Sequence, residues 1–176
     1  LVALDWWNGN RSTLVDADLS GLIIGQRLTT RVEETYRALL ESTAFGARMI
    51  IENFEAHGVG VDEIRVAGGL LRNPFLMQMY ADVTKRPLRV AKTLQAGGHG
   101  SAIFAAVAAG AYPSVAEAAE AMAGLADTVY LPDPAESEVY DRLFAVYSHL
   151  YEYFGRETEI MHDLQKLRAE CGWDQG

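Results

Sequence analysis

A chain of 176 residues that is 49% hydrophobic is long enough to bury one sizeable core and too apolar to stay disordered. Fifteen Lys and Arg against 24 Asp and Glu leave a formal charge of −9, and the basic residues are dispersed. Such a surface repels nucleic-acid backbones and anionic lipids, although backbone N–H groups can still hold a small anion such as a nucleotide. The single cysteine, Cys171, excludes an internal disulfide framework and a multi-cysteine zinc site. No uncharged apolar run reaches the roughly 18 residues of a membrane span. These features are those expected of a cytoplasmic protein without nucleic-acid or membrane partners. The opening Leu1-Val2-Ala3-Leu4-Asp5 has neither the basic lead nor the apolar length of a secretory signal. Starting on Leu and directly on apolar residues, it reads as a chain entered partway through a domain.

Residues 1–29 are expected to be irregular, with at most one short helix. Trp6, Trp7, Asn8, Gly9 and Asn10 form an aromatic-turn cluster, and Gly21 and Gly25 punctuate the stretch between it and residue 29. A long helix comes next. Thr30 and Glu33 have capping-box spacing, and Val32, Tyr36, Leu39, Leu40, Thr43, Ala47, Ile50, Ile51 and Phe54 recur at helical intervals. Gly58 suits the left-handed residue that ends it.

Glu63 to Ala67 predicts a short strand with β-branched residues at alternate positions, ending on Gly68-Gly69. Asn73 as N-cap and Pro74 in the first turn predict a helix over 74–84. Leu88 to Ala91 predicts a second strand. Gly97-Gly98-His99-Gly100 then leads into a small-residue helix, Ser101 to Ala109, stopped by Gly110. Ser114 and Glu117 cap a helix running to about Ala123. Asp133-Pro134 opens a long helix with Tyr140, Leu143, Phe144, Tyr147, Leu150 and Tyr151 on one face. Gly155 is a candidate breaker, Arg156 to Glu170 reads as more helix, and 171–176 as a frayed tail. The pattern is α/β, mostly helical. Two or three short strands make a poor sheet between helical layers, so the sheet is expected to continue in chain preceding Leu1.

The strand that ends on Gly68-Gly69 is the leading candidate site. Glycine lets a planar ligand or a phosphate approach the main chain, the following helix offers free N–H groups, and the Asn73 amide suits a purine edge or a ribose. The same two glycines also serve an ordinary tight turn, and local chemistry alone leaves that reading open. Neither a dinucleotide fingerprint nor a P-loop is present. Gly97 to Ser101 is either a phosphate cradle with His99 as acid or base, or a stretch that lets the Ala-rich helix pack closely. Trp6-Trp7-Asn8 is either a sugar-stacking surface or core. His57, His149 and His162 lack partners at metal-ligand spacing, so no metal site is expected. The Tyr140, Tyr147, Tyr151 series reads as packing, and Glu117, Glu120, Glu136 and Glu138 as solvated helix faces.

In this order the residues resemble a known family. The run from Val66 to Val83 resembles the C-terminal signature of the FGGY carbohydrate kinases, and Gly100 to Gly110 resembles the alanine-rich helix that follows it. Leu4 to Ser12 and Tyr36 to Gly46 are similar to the ribulokinase branch, and the likeness covers roughly residues 3 to 155. The resemblance implies the later part of an RNase H-like, actin/Hsp70/hexokinase-type ATPase domain, helix-rich with few strands. Residues 1–176 would be a partial C-terminal, nucleotide-binding domain, with 156–176 as its last helix and tail. Gly68, Gly69 and Asn73 match the adenosine motif, and Gly100 falls in the hinge helix. Where the family reads Ala-Leu-Gly-Ala this chain has Gly98-His99-Gly100-Ser101, which leaves the hinge packing in doubt. The implied reaction is ATP and ribulose to ADP and ribulose 5-phosphate, in arabinose catabolism. Nucleotide and ribulose would be the partners, with ATP and Mg²⁺ required and Mg²⁺ held mainly by preceding chain. The catalytic Asp and a phosphate-binding Gly-Thr turn would also precede Leu1. No catalytic residue is therefore expected here, and the chain alone should catalyse nothing. An FGGY kinase for another sugar, such as xylulose or glycerol, is the alternative, and a non-catalytic interaction module a further one. Open sheet edges lead us to expect a homo-oligomer.

Overall fold

The computed structural model describes residues 1–93 and 95–172. In chain order it carries β1 (Val2–Leu4), β2 (Leu22–Ile24), α1 (Val32–Ala56), β3 (Ile64–Val66), a 3-10 turn (Gly69–Arg72), α2 (Pro74–Thr84), β4 (Leu88–Ala91), α3 (Ala96–Ala108), α4 (Val115–Met122), β5 (Leu125–Tyr130), α5 (Pro134–Glu152), a π-helical turn (Tyr153–Glu157) and α6 (Ile160–Glu170). No helix among the described residues is long and apolar enough to cross a membrane. The chain forms two compact units: residues 1–60 with the chain from Pro134 onward, and residues 61–133.

The first unit opens on an antiparallel pair, β1 with β2, in the register Val2↔Ile24 and Leu4↔Leu22. This corrects the expectation of an irregular start. Val2, Ala3 and Leu4 are all buried, so β1 shows no apolar–polar alternation by which to read a strand. The start of α1 differs as well. Its N-cap is Arg31, whose N–H donates to Glu34 Oε2 at 2.8 Å, one residue beyond the expected box. Thr30 is spent on a turn instead, its Oγ1 accepting from the Arg27 N–H at 2.8 Å. The far end is as expected. Gly58 has φ +82° and, with Val59, donates back to Glu55 O and Phe54 O, closing a Schellman motif.

The buried face of α1 is not the apolar stripe the spacing suggested. Ala38, Glu41, Ser42, Ala44, Phe45 and Ile51 are buried, whereas Val32, Tyr36 and Phe54 are 78%, 61% and 48% exposed. Small side chains on the buried face bring the helix close to β1 and α5, and close approach outweighs raw apolarity. Buried Glu41 is paired by Arg37 Nε at 2.7 Å.

α5 buries the face its sequence predicts. Tyr140, Phe144, Tyr147 and Tyr151 are buried with Phe45 and Trp6. Phe45 lies 5.4 Å from Tyr147 and 5.9 Å from Phe144, and Trp6 meets Tyr151 edge to face at 5.2 Å. Each fully buried ring of this kind contributes about 1.5–3 kcal/mol. Arg48 closes the cluster, its guanidinium 4.1 Å from the Phe144 ring centre and bonded to Asp141 Oδ1 at 2.7 Å. Inside it, the Tyr147 hydroxyl donates to Asp5 Oδ1 at 2.9 Å. Burial pushes the Asp5 carboxyl above its ordinary value, and burial together with Asp5's charge pushes the Tyr147 phenol strongly up. Gly46 makes the space, since a Cβ there would stand 2.6 Å from Asp5 Oδ2. The helix ends at Glu152, and Gly155 lies in the π-helical turn, where a Cβ would collide with Leu14. α6 follows, shorter than expected. Residues 173–176 of the expected tail lie outside the described residues.

The second unit is a three-stranded sheet in the order β3-β4-β5. β3 and β4 are parallel (Ile64↔Leu88, Val66↔Val90) with α2 between them, while β5 runs antiparallel to β4 (Leu88↔Tyr130, Ala91↔Leu125). β5 was not expected. Its residues are mostly exposed, so it carries no two-residue apolar period. Buried Asp82 anchors the return of the chain: its Oδ1 accepts from Gln78 Nε2 and from the Asp133 N–H, both at 2.8 Å. α3 begins at Ala96, ahead of the expected Ser101, and so takes in Gly97, Gly98 and Gly100. Gly110 ends it with φ +75°, and Ser114 Oγ accepts from the Glu117 N–H at 3.2 Å to start α4, both as expected.

Candidate functional site: the glycine turn after β3

β3 carries Val66 to the sheet's edge, and the chain then turns at Gly68, whose φ of +96° and ψ of −165° are open in practice only to glycine. Gly69 begins the 3-10 turn, in which the Leu71 N–H donates to Gly68 O at 3.3 Å and the Asn73 N–H to Leu70 O at 3.0 Å. Asn73 then caps α2, its Oδ1 accepting from the Leu76 N–H at 3.2 Å, with Pro74 in the first turn. That bond uses the amide oxygen and not the amide nitrogen. Gly68, Gly69 and Asn73 are thus brought within one turn at the N-terminal end of an 11-residue helix.

The two glycines differ in why they are there. A Cβ on either would meet no atom within 4 Å. Gly68 is required by its backbone conformation. Gly69 is required by neither conformation nor packing, so the bare main chain at that point leaves room for something other than protein. A hollow of about 220 Å³ adjoins the turn, lined by Val66, Ala67, Leu70, Leu71, Met77 and Tyr80 together with Arg65. On the strands leading in, Glu63 accepts from Arg65 Nε at 2.9 Å and from Arg89 Nε at 2.7 Å. The Arg65 hydrogen bond, with both guanidiniums close by, holds the Glu63 carboxyl below its ordinary value.

The other candidates fare differently. Gly97 to Ser101 lies inside α3, so it is not a loop that wraps a phosphate. His99 Nε2 donates to Met122 O at 3.0 Å, tying α3 to the end of α4. Close packing of α3 through its glycines does not occur among the described residues, since a Cβ at Gly97, Gly98 or Gly100 would touch nothing within 4 Å. The Trp pair is split: Trp6 is core at 1% exposure and Trp7 is surface at 59%. His162 has one partner that spacing could not reveal, Asp16, whose Oδ2 lies 2.8 Å from Nε2, and a local one, Glu159, whose Oε2 lies 3.1 Å from Nδ1. Among the described residues no three His, Cys, Asp or Glu side chains converge as a metal site would need. The buried Asp5–Tyr147 pair was also missed, because 142 residues separate its members and nothing local marks either one.

Comparison with known proteins bears on the same turn. The C-terminal domain model of the FGGY family of carbohydrate kinases matches residues 1–109, a span that includes β3, the glycine turn and α2. The chain is 50% identical over 173 residues to the ribulokinase of Bacillus licheniformis, covering 96% of this chain but 31% of that protein. Among solved structures it is similar to the gluconate kinase of Lactobacillus acidophilus (26% identity, TM-score 0.76, 89% of this chain and 31% of that one). It is also similar to the xylulose kinase of Rhodospirillum rubrum (27% identity, TM-score 0.74, 92% and 31%). It thus spans under a third of the length of these relatives. The helix-rich α/β fold is that of the sugar kinases, and the chain belongs to the FGGY family of carbohydrate kinases.

Proposed function

We propose that the protein carrying this chain is an ATP-dependent ribulokinase, moving the γ-phosphoryl group of ATP to the 5-hydroxyl of ribulose, and that this chain supplies its adenosine-holding corner. The observation that carries the reading is identity. It reaches 50% against a ribulokinase across nearly the whole chain, whereas the gluconate and xylulose kinases, which share the fold, stand at 26–27%. In this reading residues 1–176 are the later part of the nucleotide-binding domain, with α6 as its C-terminal helix.

The residues present fit a nucleotide. Gly69 leaves the main chain bare where no protein atom lies within 4 Å of its missing Cβ, so a base or ribose can lie against the backbone. Gly68 sets the direction of the turn, and Asn73 has an amide nitrogen to offer beside its capping oxygen. Bound Mg²⁺ and ATP supply the transferable phosphoryl group and the neutralisation of its charge. The chain's own part is positioning: holding one end of the nucleotide fixes where the other end lies, and that is most of what phosphoryl transfer asks of a protein. We assign the general base, the phosphate turn and the Mg²⁺ contacts to chain outside these 176 residues, which by themselves should be inactive. We assign the kinase to the cytoplasm, a reading with which the one cysteine of these 176 residues is compatible.

The test is an assay of the full gene product against ribulose, xylulose and glycerol, together with calorimetry of ATP binding. Phosphorylation of ribulose above the other two is expected. Preference for xylulose or glycerol would replace the substrate, and absence of ATP binding would remove the kinase reading itself.

A further inference from the structure

Two sides of α2 do different things. Met77 and Tyr80 line the hollow of about 220 Å³ beside the glycine turn. At 100° per residue, Asn73 at the N-cap falls on the same side, the three lying within roughly 60° of one another. Gln78 and Asp82 lie one turn apart on the far side, roughly 150° round the axis, and neither lines the hollow. There they take hold of the chain that leaves β5. Gln78 Nε2 donates to Leu131 O and to Asp82 Oδ1, both at 2.8 Å, and Asp82 Oδ1 also accepts from the Asp133 N–H at 2.8 Å. Asp82 is buried, so its carboxylate accepts out of water, where a hydrogen bond is electrostatically stronger.

Leu76, Met79 and Val83 bury an apolar face of the same helix, and that burial rewards area rather than direction. Hydrogen bonds do depend on direction, weakening steeply once the angle at the hydrogen falls below about 120°. The three bonds on the far side therefore set the rotation of α2. With it they set where the Asn73 amide points and how Met77 and Tyr80 shape the hollow. We propose that Gln78 and Asp82 are positioning residues for nucleotide binding, acting through α2 without touching the ligand. This rests on the reading of the glycine turn as the adenosine corner.

The test is calorimetry of ATP binding to the full gene product, at a temperature well below the melt of each variant. A merely structural residue leaves Kd unchanged there. Gln78→Met keeps the length of the side chain and removes both donated bonds. It should weaken ATP binding at least about threefold, the scale on which residues without ligand contact shift affinity. Gln78→Lys, whose amine can still donate to both oxygens, should bind ATP as the unchanged protein does. Gln78→Asn keeps the amide but draws it back by one carbon, and carries the same expected loss should Gln78→Met fail to fold. Equal ATP affinity in the folded Met or Asn variant and the unchanged protein would overturn the proposal and leave the adenosine reading standing. Equal loss in Gln78→Met and Gln78→Lys would overturn it too, since donation would not then be the cause. Absence of ATP binding by the unchanged protein would remove the adenosine reading itself, and the proposal with it.

Discussion

Replacing Gly69 by valine, and separately Gly68 by alanine, distinguishes a glycine kept for a ligand from one kept for the backbone. At Gly68, φ +96° and ψ −165° lie in a region nearly closed to residues with a side chain, and forcing alanine into it costs about 1–3 kcal/mol. No steric contact adds to this, because a Cβ there touches nothing within 4 Å. For a chain of this size each kcal/mol lowers Tm by about 2–4 °C, so Gly68→Ala should melt about 2–12 °C lower. Gly69 has no positive φ and the same open space, so Gly69→Val should change stability by no more than about 0.5 kcal/mol. The branched side chain would, however, stand where the adenosine is proposed to lie. A loss of at least about 1.4 kcal/mol, or tenfold in Kd for ATP, should follow. The assay is a thermal melt of each variant beside ATP calorimetry on the full gene product. Unchanged ATP affinity in Gly69→Val at unchanged Tm would refute the reasoning that this bare stretch of backbone is a ligand surface.

Asn73 allows a second separation. Asn73→Ala loses the cap on α2 and should cost about 1 kcal/mol in a denaturant melt. Asn73→Ser keeps a capping oxygen but has no amide, so weaker ATP binding at unchanged stability is expected, and equal binding would confine Asn73 to capping. Asp5 predicts a pH dependence. Burial raises its folded-state pKa above the roughly 3.9 of an unfolded chain, so within that window the folded state keeps a proton the unfolded state has shed. Asp5's penalty is therefore full above the window and is relieved as pH falls through it. Urea melts across that range should show Asp5→Asn lacking this gain on acidification, and identical slopes would count against it. Tyr147→Phe should cost about 1–3 kcal/mol at neutral pH by leaving Asp5 Oδ1 without its hydroxyl donor.

Local chemistry was legible wherever a single residue settles a backbone question. Gly58 and Gly110 ended their helices in the left-handed conformation, Ser114 and Asn73 capped theirs, and the aromatic face of α5 was the buried one. Each of these depends on neighbours within about one turn, and the sequence displays those neighbours directly. The candidate site was legible to the same extent: the turn and its cap could be read, but the different reasons for Gly68 and Gly69 could not.

Other features depended on partners far along the chain. β1 is buried on both faces and β5 is largely exposed, so neither shows alternation, and only pairing with β2 and β4 made them strands. The same holds for α1, whose apolar stripe is only partly buried, with Ile51 inside and Val32, Tyr36 and Phe54 exposed. The tertiary structure chose the face carrying Ala38, Ser42 and Phe45, because only small residues let α1 come close enough to β1 and α5 for Phe45 to enter the ring cluster. Asp5 with Tyr147, and Asp16 with His162, were likewise joined only by folding. The sequence by itself determined where helices stop and where the main chain is left bare, since those are costs set by one residue's own conformation. Only the tertiary structure decided which faces are buried and which charges meet, since those depend on distances that no local pattern encodes.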